Sequence, residues 1–278
     1  IVSSLITARK KAISSKLINK IMIDESDNQS KWLYLVLVLL FSYIVSVPFT
    51  SIGLDFLHQG WMYQVAKSLY EGKMLFEDIF FHYGPLTALL QKYALDLFGD
   101  KLIVIQYQIV IVYGIISVFL WLIWSRFINR YLVTVTTLVW IMLAPYYTVE
   151  MHPWSSVFAL LFMVISLYCL IRYIESNFIV FLFTSGISAA FIFWTRQTVG
   201  IMFFLSIIIF FLIIGLAKSN SILINIKKIL TFSFAALIGS LPLVIWLFSN
   251  DALNDWWLQN FVVHLHSISG INTSFSKV

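Results

Sequence analysis

The stretch DFLHQGWMYQVAKSLYEGKMLFEDIFFHYGP, residues 55–85, is the longest charge-bearing interruption in a chain that is otherwise mostly apolar. One long apolar segment precedes it and six follow it, which places it beside a membrane surface if those segments span a bilayer. Ionisable groups held next to lipid are costly and by default indicate a functional site. The spacing alone also fits a loop that is charged because it is wet. The side chains concerned are Asp55, His58, Glu71, Glu77, Asp78 and His82.

The composition indicates that most of the protein surface faces lipid rather than water. Of its 278 residues 60% are hydrophobic and 11% are charged, whereas a soluble domain carries about 25% charged residues. The net charge is +5, and no basic run alternates with aromatic residues as a nucleic-acid groove requires, so nucleic acid is not an expected partner. The single cysteine, Cys169, offers neither an internal disulfide nor a C-x-x-C metal pair.

Seven charge-free windows of 19 to 24 residues are long enough to cross a membrane. A helix needs about 20 apolar residues to cross about 30 Å of hydrocarbon, and a lone segment satisfies all its backbone groups only as a helix. We therefore predict an all-α polytopic membrane protein with seven transmembrane helices. The windows are 32–54, 102–125, 131–149, 151–171, 176–195, 197–217 and 229–250.

The windows divide the chain into three parts. Residues 1–31 form a basic cytoplasmic segment, with a surface helix expected around residues 2–22. Residues 32–250 form one membrane module that includes the outer loop 55–101, and residues 251–278 form a further outer stretch. Because the sequence does not begin with methionine and stops in a polar stretch, we expect a piece of a longer protein.

Lysine and arginine indicate the orientation, since both are enriched in cytoplasmic loops. With a cytoplasmic N-terminus, 12 of the 18 basic residues but four of the 13 acidic ones fall on the cytoplasmic side. We therefore predict a multi-pass protein of the inner (plasma) membrane, with residues 55–101 outside. The cytoplasmic basic residues would be Arg9, Lys10, Lys11, Lys16, Lys20, Lys31, Arg126, Arg130, Arg172, Lys218, Lys227 and Lys228.

Two segments of the outer loop are expected to be helices lying on the membrane surface. Residues 56–71 repeat apolar side chains at i, i+4 spacing and end before Gly72. Residues 85–98 are too short to span and carry Lys92 and Asp96. A crossing there would also invert the charge bias of everything that follows.

Asp55 and Arg196 are the strongest candidates for chemistry. Asp55 stands where the first span ends, and partial desolvation favours a carboxylate that takes up a proton, as a general base must. It would also serve as the N-cap of the surface helix that follows it. Arg196 lies at the tip of an apolar hairpin, where its guanidinium would bind a phosphate with two hydrogen bonds or simply extend to the head groups.

The other ionisable groups of the loop leave two interpretations open. Glu77 and Asp78 could bind a cation or orient an acceptor, or they could form a solvated turn. His58 and His82 could join them as metal ligands. No H-E-x-x-H or comparable spacing supports that, which favours histidines that merely lie at the interface.

The rest of the chain adds few motifs. The outer turn PYYTVEMHP, residues 145–153, contributes Glu150 and His152. There is no phosphate-binding P-loop, no dinucleotide fingerprint after a strand and no G-x-S-x-G nucleophile elbow. Nucleotide-driven transport and serine hydrolysis therefore have no support.

Three stretches resemble the polytopic GT-C glycosyltransferases, in the bacterial branch related to protein O-mannosyltransferases and to aminoarabinose and RgtA/B/C/D-like lipid-sugar transferases. AKSLYEGKMLFED, residues 66–78, is similar to a family pattern A-x-x-L-x-x-G-x-x-x-Y-x-D that follows an acidic residue after the first span. WTRQTVG, residues 194–200, is similar to a Lys/Arg-Gln-x-x-Gly turn. DALNDWWLQNFVVH, residues 251–264, is similar to an aromatic stretch after the seventh span. The resemblance covers residues 32–264.

The resemblance implies a GT-C-like module that takes sugar from a polyprenyl-phosphate-linked donor. Transfer would occur on the extracytoplasmic face, to a lipid, glycan or protein acceptor. It implies that Asp55 is catalytic and that Arg196 and Gln197 bind the donor phosphate.

Many relatives carry a second carboxylate directly beside the first. Here Asp55 is followed by Phe-Leu-His, so that group would come from Asp78 or Glu150. Whether a divalent cation is needed therefore stays open. The side chains expected to line the site are His58, His82 and His152.

The chemistry expected is a single displacement that inverts the anomeric centre. The alternatives are a transporter or flippase of lipid-linked sugars and a non-catalytic membrane scaffold. A transporter should show polar or Gly/Pro-broken spans near the midplane. In this sequence Pro48, Pro145, Pro153 and Pro242 instead lie near the ends of the windows.

Overall fold

The computed structural model describes residues 31–51, 58–147, 152–217 and 222–262. Within these ranges all regular structure is helical, apart from a single β-bridge between Leu75 and Ile79. The predicted all-α polytopic class is confirmed. The surface helix expected around residues 2–22 lies outside the described residues.

Seven apolar helices coincide with the seven predicted windows. Five of them are long and apolar enough to cross a membrane: α1, α4, α6, α8 and α9. The other two, α5 and α7, are shorter in their described apolar length. The helices are α1 (Lys31–Thr50, ending in a 3-10 turn), α4 (Leu102–Trp124), α5 (Arg130–Tyr147), α6 (Ser155–Ser176), α7 (Ile179–Thr195), α8 (Gln197–Ala217) and α9 (Ile222–Ser249).

The two helices expected in the outer loop are present. Helix α2 is His58–Tyr70, and the turn after it reaches Gly72, whose φ of 91° suits glycine. Helix α3 is Pro85–Phe98, and proline at its first position lacks only an N–H that would have no partner within the helix. A short helix after α9, α10 (Leu253–Trp257), continues into a π-helical turn, Leu258–Val262.

Helix α7 lies at the centre of the bundle and packs on α6 and α9. Ser166 of α6 and Ser185 of α7 are buried, and their hydroxyl oxygens lie 2.9 Å apart. On the other side of α7, Gly186 lies against the backbone of α9 at Phe232. Small residues let apolar helices approach closely, and this contact replaces the hydrophobic effect that lipid cannot supply.

Helix α2 is fixed to the junction of α3 and α4 by one carboxylate. Asp100 accepts a hydrogen bond of 2.7 Å from the Tyr63 hydroxyl, and its second oxygen lies 2.9 Å from the Lys67 ammonium. The Tyr63 hydrogen bond and then the Lys67 hydrogen bond lower the pKa of Asp100 below its usual value. The anchor is therefore charged at neutral pH, and it holds α2 across the ends of the spans.

The contact between α7 and α9 gives a stability prediction. A Cβ added at Gly186 would lie 2.7 Å from the Ala235 Cβ and would overlap the Phe232 carbonyl. Gly186→Ala should destabilise the protein by roughly 1–3 kcal/mol, measured by thermal unfolding in detergent, because the two backbones cannot separate freely. The matched control is Gly60→Ala in α2, where nothing lies within 4 Å. That change should stabilise by roughly 0.5–1 kcal/mol. Equal effects of both changes would contradict this packing.

Candidate functional site

Polar residues that lie far apart in the sequence come together at one end of the helices. This end comprises α2, the loop at residues 71–84, the start of α6, the hinge between α7 and α8, and α10. Contacts such as Ser156 with Arg196 and Gln197 with Asn260 join these elements. The opposite end carries Arg126 and Arg172, both paired with Glu175, so the two ends differ in chemistry.

Arg196 is partly buried where α7 stops and α8 begins. Its extended backbone, with φ of −147° and ψ of 100°, breaks the helix, and its carbonyl accepts the first hydrogen bond of α8 from Gly200. Its guanidinium donates to the Ser156 hydroxyl and lies 5.8 Å from the centre of the Tyr83 ring. Within the described residues no carboxylate pairs with it. Among the described residues its hydrogen-bond partner is Ser156, so most of its five N–H donors have no partner within that part of the chain.

Two glycines allow the backbone to close around Arg196. A Cβ at Gly84 would overlap the Trp194 carbonyl, and a Cβ at Gly200 would overlap the backbone of Phe193. Gly84 thus lets the outer loop lie directly on the last turn of α7. Gly200 lets the first turn of α8 fold back on α7.

Gln197 binds the C-terminal elements. It is 7% exposed, and its Nε2 donates to the Asn260 Oδ1 at 2.7 Å. Asn260 in turn donates to the carbonyls of Trp256 and Phe81, at 2.9 and 3.4 Å. The Gln197 amide therefore links α8 to the π-helical turn and the loop.

Gln259 of the π-helical turn holds a strained part of the loop. Its Oε1 accepts a hydrogen bond of 3.0 Å from the Phe81 N–H, and its Nε2 donates to the Phe76 carbonyl. Phe76 has a φ of 75°, which is unfavourable for a residue with a side chain. These contacts give the loop one conformation beside Arg196.

The predicted second carboxylate, Asp78, lies in an exposed turn of that loop. Its Oδ2 accepts a hydrogen bond of 2.8 Å from the Met74 N–H, and its own N–H donates to the Met74 carbonyl. Glu77 beside it is also exposed. The structure thus shows a capped turn at Asp78.

The predicted histidines lie in two surroundings. His82 stacks on Trp61, with ring centres 5.3 Å apart, and its ring lies 4.1 Å from that of Tyr83. This places His82 within the aromatic wall that also contacts Arg196. The rings of His58 and His152 are 5.7 Å apart at the start of α2. His152 is 7% exposed.

A buried group of amides surrounds His152. Gln59 Nε2 lies 3.2 Å from His152 Nδ1, and Gln106 Nε2 donates to Gln59 Oε1 at 3.0 Å. Sequence reasoning missed these glutamines, and also Ser156, Gln259 and Asn260. A signal existed for Gln106, which is a polar residue inside an apolar window.

Two of the predicted site residues, Asp55 and Glu150, lie outside the described residues. Within the described ranges, no three His, Cys, Asp or Glu side chains come together closely enough to hold a metal ion. The described part of the site is therefore a cation, Arg196, framed by amides and aromatic rings.

An apolar groove with a volume of about 470 Å³ runs between α7, α8 and α9. Its walls include Phe193 and Gly200, which stand three residues before and four residues after Arg196 in the chain, and also Phe204, Ala236 and Ser240. Along the chain the groove is therefore close to the hinge between α7 and α8.

These features define the class as a multi-pass membrane protein with its polar groups gathered at one end of the spans. The family model for dolichyl-phosphate-mannose-protein mannosyltransferase matches residues 82–246, and the chain belongs to this family. It is therefore a membrane glycosyltransferase of the mannosyltransferase type. The family implies a lipid-linked sugar donor and a glycan or protein acceptor. No curated protein and no solved structure matches the chain.

The Gln259 contacts give a local prediction. Gln259→Ala removes the partners of the Phe81 N–H and the Phe76 carbonyl, and each unpaired buried group costs about 1–3 kcal/mol. Amide hydrogen exchange of residues 75–81 should rise, and the midpoint of thermal unfolding should fall. Gln64→Ala is the control, because its amide contacts only Ser68 on the same helix. Unchanged exchange in Gln259→Ala would show that the loop holds its conformation without the π-helical turn.

Proposed function

We propose that the protein transfers a sugar from a polyprenyl-phosphate-linked donor to an acceptor on the extracytoplasmic face of the inner membrane, with inversion at the anomeric carbon. The observation that carries the proposal is the position of Arg196. It lacks a carboxylate partner among the described residues, and Phe193 and Gly200, three residues before it and four after it in the chain, line an apolar groove. A lipid phosphate has the charge and the tail that these two features match.

The phosphate would meet Arg196 and the start of α8. The first N–H groups of a helix have no intrahelical partner and favour an anion. Arg196 immediately precedes Gln197, the first residue of α8, so its guanidinium and those N–H groups can face the same anion. Ser156 orients the guanidinium, and Gln197 keeps the hinge in place through Asn260.

The polyprenyl tail would lie in the groove between α7, α8 and α9. Almost all of the groove lining is apolar, and residues from Phe193 and Gly200 to Ser240 follow the direction of the spans. A tail placed there leaves its phosphate beside Arg196. The sugar then projects toward the aromatic wall of Trp61, His82 and Tyr83.

Asp55 would act as the general base. It takes the proton of the acceptor hydroxyl while that oxygen forms a bond to the anomeric carbon. The bond from the anomeric carbon to the phosphate oxygen breaks on the opposite face, and its electron pair leaves with the polyprenyl phosphate. Phosphate is a good leaving group, so no general acid is required. Glu150 or Asp78 would supply the second carboxylate that orients the acceptor or holds a divalent cation.

The distribution of charge supports the assignment of the face. Cytoplasmic loops of membrane proteins are enriched in lysine and arginine. Arg126 and Arg172 lie at the end of the helices opposite Arg196, and Lys227 and Lys228 lie in the first turns of α9, which begins at that end. The N-terminus would then be cytoplasmic and the site extracytoplasmic.

The first prediction of this proposal concerns the donor phosphate. Arg196→Gln should weaken binding of polyprenyl phosphate by about 10- to 100-fold, because a hydrogen bond to a charged group contributes about 1.5–3 kcal/mol. Binding of the uncharged polyprenol should stay unchanged, which separates the head from the tail. Both affinities can be measured on the protein in lipid nanodiscs.

Arg126→Gln serves as the matched control, since Arg126 pairs with Glu175 at the opposite end. It should bind both lipids as the wild type does. If Arg196→Gln binds polyprenyl phosphate with wild-type affinity, Arg196 is not the phosphate ligand.

The second prediction concerns the base. In the full-length gene, Asp55→Asn should lower sugar transfer by about 10²- to 10⁴-fold, the usual contribution of a general base. Mass spectrometry of cell-surface glycans should then show the same lost sugar as a deletion, at matched protein levels. Asp96→Asn is the control, because Asp96 pairs only with Lys92 on the exposed face of α3. If only the deletion loses the sugar, the transporter or the scaffold becomes the better explanation.

A further inference from the structure

The buried amides around His152 join four elements at the site end of the helices. Gln59 belongs to α2 and Gln106 to α4, and both are almost fully buried, at 1% and 3% exposure. Gln91 of α3 donates to the Pro153 carbonyl at 2.6 Å. His152 and Pro153 lead into α6. Hydrogen bonds between such buried side chains have few alternative partners, so they specify one arrangement.

The direction of these hydrogen bonds fixes the state of the His152 ring. Gln106 donates to the Gln59 Oε1, so the other end of the Gln59 amide is its NH₂ group, which only donates. That NH₂ group meets His152 Nδ1 at 3.2 Å. With the amides in these orientations Nδ1 accepts, which assigns the proton of a neutral ring to Nε2.

The same short strip of chain also reaches Arg196. Residues 152–156 begin at His152, which contacts Gln59, and end at Ser156, which accepts a hydrogen bond from Arg196. Four residues of chain span at most about 14 Å even when extended. The strip thus connects the start of α2 to the arginine hinge through two side-chain contacts and few rotatable bonds.

We propose that Gln59 and His152 are positioning residues that hold the start of α2 in register with Arg196. The expected effect on turnover rests on the proposed function, whereas the expected effect on the structure of α2 does not. Trp61 of α2 stacks on His82 in the aromatic wall beside Arg196, so the register of α2 sets the position of that wall relative to the arginine. Groups that orient a substrate must be held close to the productive geometry. The contact of Gln59 with His152 Nδ1 therefore fixes the aromatic wall relative to Arg196.

Two conservative substitutions distinguish the two nitrogens of His152. In His152→Asn the side-chain amide stands near the place of Nδ1 and can keep the hydrogen bond to Gln59. In His152→Gln the amide stands near the place of Nε2 and leaves Gln59 without its partner. Turnover is measured with polyprenyl-phosphate-mannose on the full chain in nanodiscs, and donor affinity is measured with polyprenyl phosphate.

We expect His152→Asn to keep kcat within about threefold of the wild type and His152→Gln to lower it by about tenfold or more, since a lost buried hydrogen bond costs about 1–3 kcal/mol. Both should bind polyprenyl phosphate within about twofold of the wild type, because Ser156 and Arg196 are untouched.

A second readout does not depend on catalysis. Amide hydrogen exchange in the second turn of α2, where the N–H groups have intrahelical partners, should rise in His152→Gln and stay close to wild type in His152→Asn. Ser166→Ala is the structural control, since it breaks a buried contact about 15 Å further along α6. It should lower the midpoint of thermal unfolding and leave both kcat and the α2 exchange unchanged.

The outcomes separate this inference from the proposed function. The inference would be overturned if the two His152 variants had equal kcat and equal α2 exchange, or if His152→Gln had the higher kcat. The positioning role would then belong to Nε2 or to the packing of the ring. A wild type that never turns over the donor would overturn the proposed function. The α2 exchange would then still decide whether His152 Nδ1 positions that helix.

Discussion

A chain surrounded by hydrocarbon must satisfy its backbone N–H and C=O groups within each segment, and the rest of this structure depends on that constraint. It makes the apolar windows helical and confines every break to the ends of the helices. The breaks at Gly84, at Arg196 and before Ser155 all lie at one end. Polar side chains gather there because this is where backbone groups need partners and water can reach.

Close contacts between backbone segments bring these helix breaks together in one site. Gly84 lies on the last turn of α7, and Gly200 lies on the turn before Arg196, so the outer loop and the hinge between α7 and α8 share one surface. Gln259 and Asn260 then close the arrangement from the C-terminal side. Membership in a mannosyltransferase family agrees with so small a set of polar groups, because the family implies a lipid-linked donor, which carries its own good leaving group.

The sequence predicted the elements far better than the contacts between them. Helix α3 was expected at residues 85–98 and is found there, because its length, its Gly-Pro start and its two charges are local properties. Arg196 was singled out because a lone cation in an apolar hairpin is conspicuous. Ser156, Gln59 and Asn260 were missed, since a serine or an amide in the sequence carries no sign of the distant residue that it meets. The structure directs the Gln197 Nε2 to Asn260, and the expected contact of Gln197 with a donor phosphate stays a prediction.

The sequence by itself determined the class of fold, the number of apolar helices, the end at which polar groups collect and the resemblance to membrane glycosyltransferases. These follow from hydropathy, charge and motif order, which act over short distances along the chain. Only the tertiary structure decided which side chains become neighbours. The pairs of Arg196 with Ser156, Gln59 with His152 and Gln259 with the loop join residues 40, 93 and 178 positions apart. Such pairs form only when packed helices bring their ends together, and no local pattern encodes that.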